Sequence, residues 1–247
     1  GIASRGLGDV YKRQIIVHNP SEQKNLRCLY HGRKFNLDGE FKSMPDFEEA
    51  KNFPRNCENL KSFPVSRLGP FLFTSLEPEF NIKKIFDEIA NRLSFFKFEK
   101  LVERPDLTSE HIVKANWAIY CENYLDPFHI PFVHKELTSV LDINQYKTEI
   151  YDNYNLQIGY SKDDEDSFKI PEGNKDFGKK ISAYYYWLFP NLMLNFYPWG
   201  LSINVITPIN KNRTKVSFIQ FMLDESKYDL GAGGLIDKVE REDEFVV

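Results

Sequence analysis

The chain has 247 residues, 42% hydrophobic and 28% charged, a balance that excludes a disordered polymer and leaves one large or two modest globular domains. Its net charge of −4 gives no general attraction to nucleic acid or anionic lipid, so proteins and small molecules are the expected partners. The richest apolar stretch, Tyr184 to Trp199, is interrupted by Pro190, Asn191, Asn195 and Pro198, which excludes the ~18-residue apolar run that crosses a bilayer.

In chain order, Gly1 to Gln14 (GIASRGLGDVYKRQ) carries no hydrophobic period and reads as processing debris. Its DVYKRQ end resembles the translation of a transposon sequencing adapter, so native sequence is expected from Ile15. Residues 15–78 hold short apolar runs between Gly, Pro and Asn, with an FNLDGEF turn at Asp38-Gly39, the texture of a small antiparallel β domain. His18, with no cysteine near it, reads as a surface residue. Ile85, Phe86, Ile89 and Leu93 fall at helical spacing, which predicts a helix over Ile82 to Phe96. A second helix is expected over His111 to Phe128.

After Val140 the pattern turns to strands: TEIYDNYNLQIGY, SAYYYWLF, LMLNFY, LSINVITP and TKVSFIQFML are rich in aromatic and β-branched residues. Ser161 to Lys180, acidic and glycine-containing, reads as an exposed loop, and Asp237 to Val247 as the opening of a charged helix. The expected class over 79–247 is α+β, a twisted antiparallel sheet with helices against it. Three cysteines, Cys28, Cys57 and Cys121, are odd in number and far apart with no apparent secretory signal, which argues against a disulfide framework and for a cytoplasmic setting. Cys121 reads as packing.

The chemistry concentrates at Asn116-Trp117-x4-Glu122-Asn123-Tyr124-x-Asp126-x2-His129-x4-His134, which takes two of the five histidines. Two imidazoles and a carboxylate that leave coordination positions open are what a ferrous ion needs to bind oxygen beside a substrate. On an unbroken helix His129 and His134 would point about 140° apart. Pro131 disfavours helix at Ile130, so a break after His129 is expected to bring His134 back round.

ENYLDPFHIPFVH, Glu122 to His134, resembles the mononuclear iron motif of Rieske non-haem iron oxygenase large subunits, especially the branch acting on choline, betaine and related quaternary amines. Cys28-Leu29-Tyr30-His31-Gly32, followed by Phe35-x-Leu37-Asp38-Gly39, resembles the second cluster-binding loop of a Rieske domain. The resemblance implies a partial Rieske [2Fe-2S] domain over 15–78, with Cys28 and His31 as cluster ligands, and a helix-grip, START-like catalytic domain over 79–247. It implies that His129 and His134 ligate Fe(II), and that Asp126 bridges His129 to a Rieske histidine of a neighbouring subunit. The third ligand is then a carboxylate of a late acidic helix; Asp243 is expected, with Glu242 as the alternative.

The same resemblance implies electrons from NAD(P)H through a reductase or ferredoxin, O2 as co-substrate and a homotrimer. It implies a Cys-x-His pair upstream of Cys28, where the adapter-like segment stands. The chain is therefore expected to be a fragment of its parent enzyme, truncated at both ends and inactive alone. Tyr184, Tyr185, Tyr186, Trp187, Phe196, Tyr197 and Trp199 lie on adjacent expected strands and suit either a quaternary ammonium, by cation–π attraction, or the sheet core. Only about half can face one side. Two other classes stay open: a Rieske electron carrier, which leaves the histidine motif unexplained, and a non-catalytic START-like binding module, which leaves the iron motif unexplained.

Overall fold

The structure, a computed structural model, describes residues 8–9, 14–17 and 19–247 except 165; His18 and most of Gly1 to Gln14 lie outside the described residues. The chain divides into two compact units, residues 1–65 with 73–77, and residues 66–72 with 78–247. No helix among the described residues is long and apolar enough to cross a membrane.

In the first unit, β1 (Leu26–Arg27), β2 (Lys34–Phe35) and β3 (Phe41–Ser43) form a three-stranded antiparallel sheet in that order. Ile16, Val17, Leu26 and Phe35 make its small core. The β2–β3 turn runs through Gly39 at φ 92°, a left-handed conformation that glycine adopts without steric cost.

In the second unit, α1 (Ile82–Arg92) is capped by the Asn81 side chain and buries Ile85, Phe86 and Ile89. It stops short of Phe96, because Phe95 and Phe96 leave the helix to stack edge-on against Phe168 and Phe196 at 5.6 and 5.2 Å. The helix expected from His111 is corrected more sharply. Ser109–Val113 is a strand that pairs antiparallel with Arg213–Met222, and α2 begins only at Trp117 and ends at Leu125. Asn116 starts it, its side-chain oxygen accepting from the Ala118 N–H at 3.0 Å. The local pattern of residues 109–113 fits either element; a strand about a hundred residues away decides between them.

The sheet has eight strands: β4 (Val102–Glu103), β5 (Ser109–Val113), β6 (Lys147–Ile150), β7 (Tyr154–Tyr160), β8 (Ile181–Leu188), β9 (Leu192–Tyr197), β10 (Gly200–Asn210) and β11 (Arg213–Met222). Neighbours run β6-β7-β8-β9-β10-β11, with both β4 and β5 on the far side of β11, and every pair is antiparallel. Side chains alternate across it. Ala183 and Tyr197 join Ile130, Leu137, Leu141 and Ile236 in a core on the helical side, while Tyr184 sits over Arg92 of α1 on the other.

Ser161–Lys180 connects β7 and β8 as expected, but it is not wholly an exposed loop. Asp176 is fully buried and takes Arg92 Nε at 2.7 Å, with Lys179 Nζ at 2.6 Å and the Tyr184 hydroxyl at 3.1 Å. Glu149 takes the other side of the Arg92 guanidinium. This ion cluster pins the connection to α1 and β6, and no hydrophobic pattern announces it.

Burial opposes the charge of Glu149, yet its bonds from Arg92, Lys147 and Tyr151 outweigh burial and bring its pKa from 4.5 to about 2. A depressed carboxylate contributes its full stability above its unfolded value and loses it as pH falls through the folded one. Unfolding free energy is therefore expected to drop between pH 4.5 and about 2, and Asp176→Ala to cost about 3–5 kcal/mol by removing one of the two carboxylates that pair the buried Arg92. Denaturant titration checks both.

Candidate metal centre

The site begins where α2 ends. Asp126 leaves the helix (φ −91°, ψ 107°) and starts a short turn over Pro127–His129, its Oδ1 accepting from the Phe128 N–H at 2.8 Å. The next piece differs from the expected break at Ile130. Ile130 is helical (φ −49°, ψ −49°) and opens α3 (Ile130–Val133) with Pro131 in its first turn, where proline's missing N–H costs nothing. The departure comes at His134 (φ −100°, ψ 66°), between α3 and α4 (Lys135–Val140). That kink turns the second imidazole back toward the first.

The third side chain arrives from α5 (Ile236–Val246). His129 Nε2 and His134 Nε2 lie 3.1 Å apart, and Asp243 Oδ1 lies 3.0 Å from the second and 3.6 Å from the first. Ligands held roughly 2.1 Å from one ion at right angles stand about 3 Å from each other, so this triangle has the edges of one face of a coordination octahedron. Two imidazole nitrogens and a carboxylate oxygen converging on one point offer three donor atoms to a single cation. The donor set, two histidines and a carboxylate on one face, suits Fe(II).

The surroundings are arranged for the same purpose. Glu242 Oε2 lies 2.8 Å from His134 Nδ1; taking the proton on that nitrogen leaves Nε2 free for a metal. Asn123 Nδ2 donates to Asp243 Oδ1 at 2.8 Å. Both acids considered for the third position are thus at the site, with different contacts. His129 Nδ1 is buried with no hydrogen-bond partner among the described residues, and Asp126 Oδ2, 3.8 Å away, is just beyond bonding range. Burial works to lower the His134 pKa, but its bonds to Asp243 and Glu242 prevail and raise it. Burial likewise opposes the Asp243 charge, and His129, His134 and Asn123 hold its carboxyl below its usual range.

Beside the triangle opens a cavity of about 80 Å³, walled by Tyr124, Tyr146, Tyr185, Tyr197 and apolar side chains including Leu137 and Ile236. Of the seven aromatics singled out in the sequence, only Tyr185 and Tyr197 line it. Tyr184, Tyr186, Phe196 and Trp199 are buried in the body of the unit, and Trp187 packs beside Met193 and Val216. Tyr124 and Tyr146 come from outside the aromatic-rich strands, so strand composition could not find them. Gln157 ties the two together, accepting from the Tyr146 hydroxyl at 3.1 Å and donating to the Tyr124 carbonyl at 2.7 Å.

A family profile described as "Ring hydroxylating alpha subunit (catalytic domain)" matches residues 98–231, more than half of the chain. The chain belongs to the ring-hydroxylating alpha subunit family. It is similar to choline monooxygenase of Arabidopsis thaliana, 31% identical over 87% of this chain and 52% of that protein. It is also similar to the carnitine monooxygenase oxygenase subunit of Escherichia coli K12, 26% identical over 87% of this chain and 57% of that protein. The chain spans about half the length of these curated relatives. The solved structure of a quaternary ammonium Rieske monooxygenase superposes with a TM-score of 0.68 at 16% identity, over 96% of this chain and 65% of that one; this likeness shows the fold.

The family match includes His129 and His134 and ends before α5; Asp243, expected from the sequence with Glu242 as the alternative, lies outside it and is brought to the two histidines by α5. In the first unit, Cys28 is buried and His31 exposed on a loop closed by the Cys28 N–H to Arg33 carbonyl bond of 2.8 Å. Among the described residues the only cluster of three or more metal-binding side chains is His129, His134 and Asp243, and a Rieske centre takes two cysteines and two histidines. Cys28 and His31 fit half of such a centre. Cys121 is buried, its thiol donating to the Pro190 carbonyl at 3.7 Å, and burial raises its pKa.

Anaerobic loading with Fe(II) is expected to place about one ion per chain, with His134→Ala or Asp243→Ala abolishing uptake by metal analysis. Glu242→Ala, which removes only the support of one imidazole, is expected to weaken uptake roughly 10–100-fold. Full uptake by the two ligand variants would remove the triangle from consideration.

Proposed function

We propose that this chain is the catalytic part of a Rieske-type oxygenase large subunit that oxidises a small quaternary ammonium compound at a mononuclear Fe(II). The observation that carries the reading is the donor triangle of His129, His134 and Asp243 opening onto a cavity walled by four tyrosines. Its metal ligands are His129, His134 and Asp243. A ferrous ion held by them would supply open coordination positions for oxygen chemistry beside the substrate.

The protein's own part is positioning. Glu242 fixes the His134 tautomer and Asn123 fixes the Asp243 carboxylate. Asp126, with its side chain 45% exposed and its Oδ2 3.8 Å from His129 Nδ1, is the group placed to bridge toward a neighbour's Rieske histidine. Phe128 and Phe132, close to it in the chain, are 82% and 79% exposed, apolar side chains that suit coverage by another subunit. A homotrimer fed by NAD(P)H through a reductase is the assembly this reading requires. Cys28 and His31 supply half a cluster's ligands, so no electron-transfer step is assigned to them.

The tyrosine walls favour an onium substrate over a planar aromatic one. Neutral ring faces attract a desolvated cation by about 2 kcal/mol or more. Burial pushes the Tyr124, Tyr146, Tyr185 and Tyr197 phenols well above their ordinary pKa, so the rings stay neutral. The similar choline and carnitine monooxygenases support the same class.

Calorimetric titration of the Fe(II)-loaded chain tests the reading: choline, carnitine or glycine betaine is expected to bind, and benzoate is not. Binding of planar aromatic acids alone would sink it. In an assembled enzyme, Asp126→Asn is expected to slow product formation at least about tenfold while substrate affinity is kept.

A further inference from the structure

On the α1 side of the sheet, sharing no wall with the cavity at the metal centre, is a hollow of about 430 Å³. Its floor is made by Phe95, Phe96 and Phe168, with Phe168 packed against the other two at 5.6 and 6.5 Å between ring centres. Its rim carries Lys97, Lys100, Lys169 and Lys227. These come from stretches far apart in the chain: the residues after α1, the β7–β8 connection and the turn after β11.

Lys83, Lys147, Lys179, Lys180, Lys215 and Lys238 each face a carboxylate. None of the four rim lysines has an ion-pair partner among the described residues. The one acid on the described walls, Asp224, turns its Oδ1 to the Ser226 N–H at 3.1 Å and to the Ser226 hydroxyl at 2.6 Å. Four like charges drawn to one hollow repel one another and focus a positive potential there. The chain as a whole has a net charge of −4, so that potential is local.

The kind of anion follows from the side chains. No arginine is among the described walls, and arginine is the residue whose planar fork fixes a single phosphate or carboxylate. Lysines are point charges on flexible stems, which suit several carboxylates spread along a polypeptide. The rings beneath are packed against each other and give an apolar base instead of a free stacking face. A concave rim of this kind admits a protruding chain segment more readily than a flat lipid surface.

We propose that this hollow is a docking site for an acidic segment of a partner protein, whose carboxylates meet Lys97, Lys100, Lys169 and Lys227. The assignment stands on charge and shape and is independent of the quaternary ammonium reading.

The test follows a fluorescein-labelled oligoglutamate peptide by fluorescence anisotropy with the full chain. The unmodified chain is expected to bind it at low ionic strength and to lose at least about tenfold in affinity at physiological salt. Lys97→Glu with Lys169→Glu is expected to weaken binding at least about tenfold, and Lys97→Arg with Lys169→Arg to keep it within about twofold. Lys114→Glu with Lys211→Glu makes the same change in net charge outside the hollow and is expected to stay within about twofold. All four substituted lysines are exposed, and thermal unfolding of each variant checks the fold.

No binding by the unmodified chain overturns the docking site, as does unchanged binding by Lys97→Glu with Lys169→Glu or equal weakening by the two glutamate pairs. Phosphatidylserine vesicles or inorganic pyrophosphate held more tightly than the peptide through Lys97 and Lys169 would replace the acidic segment by a lipid surface or a small anion.

Discussion

His134 is gripped from both sides of its ring by neighbouring acids of α5, Glu242 at Nδ1 and Asp243 at Nε2, at 2.8 and 3.0 Å. Much else in the second unit follows from that double contact. It fixes the rotation of an imidazole buried to 2% and locks α5 over the α3–α4 kink. Adjacent residues of a helix project about 100° apart, so the ring has to enter edge-on between the two acids. The non-helical backbone at His134 provides that entry. A regular helix through residue 134 would send the ring elsewhere and leave α5 without its partner.

The sheet is the rigid part of this arrangement. Alternation along β8 and β9 sends Tyr185 and Tyr197 to the helical side and their neighbours Tyr184 and Phe196 to the side of α1. Tyr184 touches the Arg92–Asp176–Glu149 cluster, which ties α1 and the β7–β8 connection to the sheet, and Phe196 packs against Phe96 and Phe98. One run of aromatic sequence thus serves two purposes: Tyr185 and Tyr197 face the cavity, and the other five support the unit. The site itself stands on helix ends and kinks, which can be tuned without disturbing the sheet.

Polar groups inside the second unit are satisfied in chains rather than pairs. Asn204, Asn195 and Tyr124 follow one another from the sheet to α2, and Gln157 continues from the Tyr124 carbonyl to Tyr146. Such a network fixes the tyrosine rings around the cavity more firmly than packing alone, because each buried donor depends on the next. The cavity walls are therefore preorganised by hydrogen bonds among the protein's own groups.

Read alone, the sequence determined the class of fold, the strands after Val140 and the His129/His134 pair, because hydrophobic period and motif spacing are local properties of the chain. It could also name Glu242 and Asp243 as the acids to consider, since only one late acidic segment exists, but could not give each its contact. Tertiary structure alone decided the rest. It made a strand of residues 109–113, whose partner is far away in the chain, and buried Asp176 within an apparently polar loop. It drew Tyr124 and Tyr146 into one cavity from a helix and a turn. Each of these depends on which distant residue lies opposite, and a one-dimensional pattern carries no record of that.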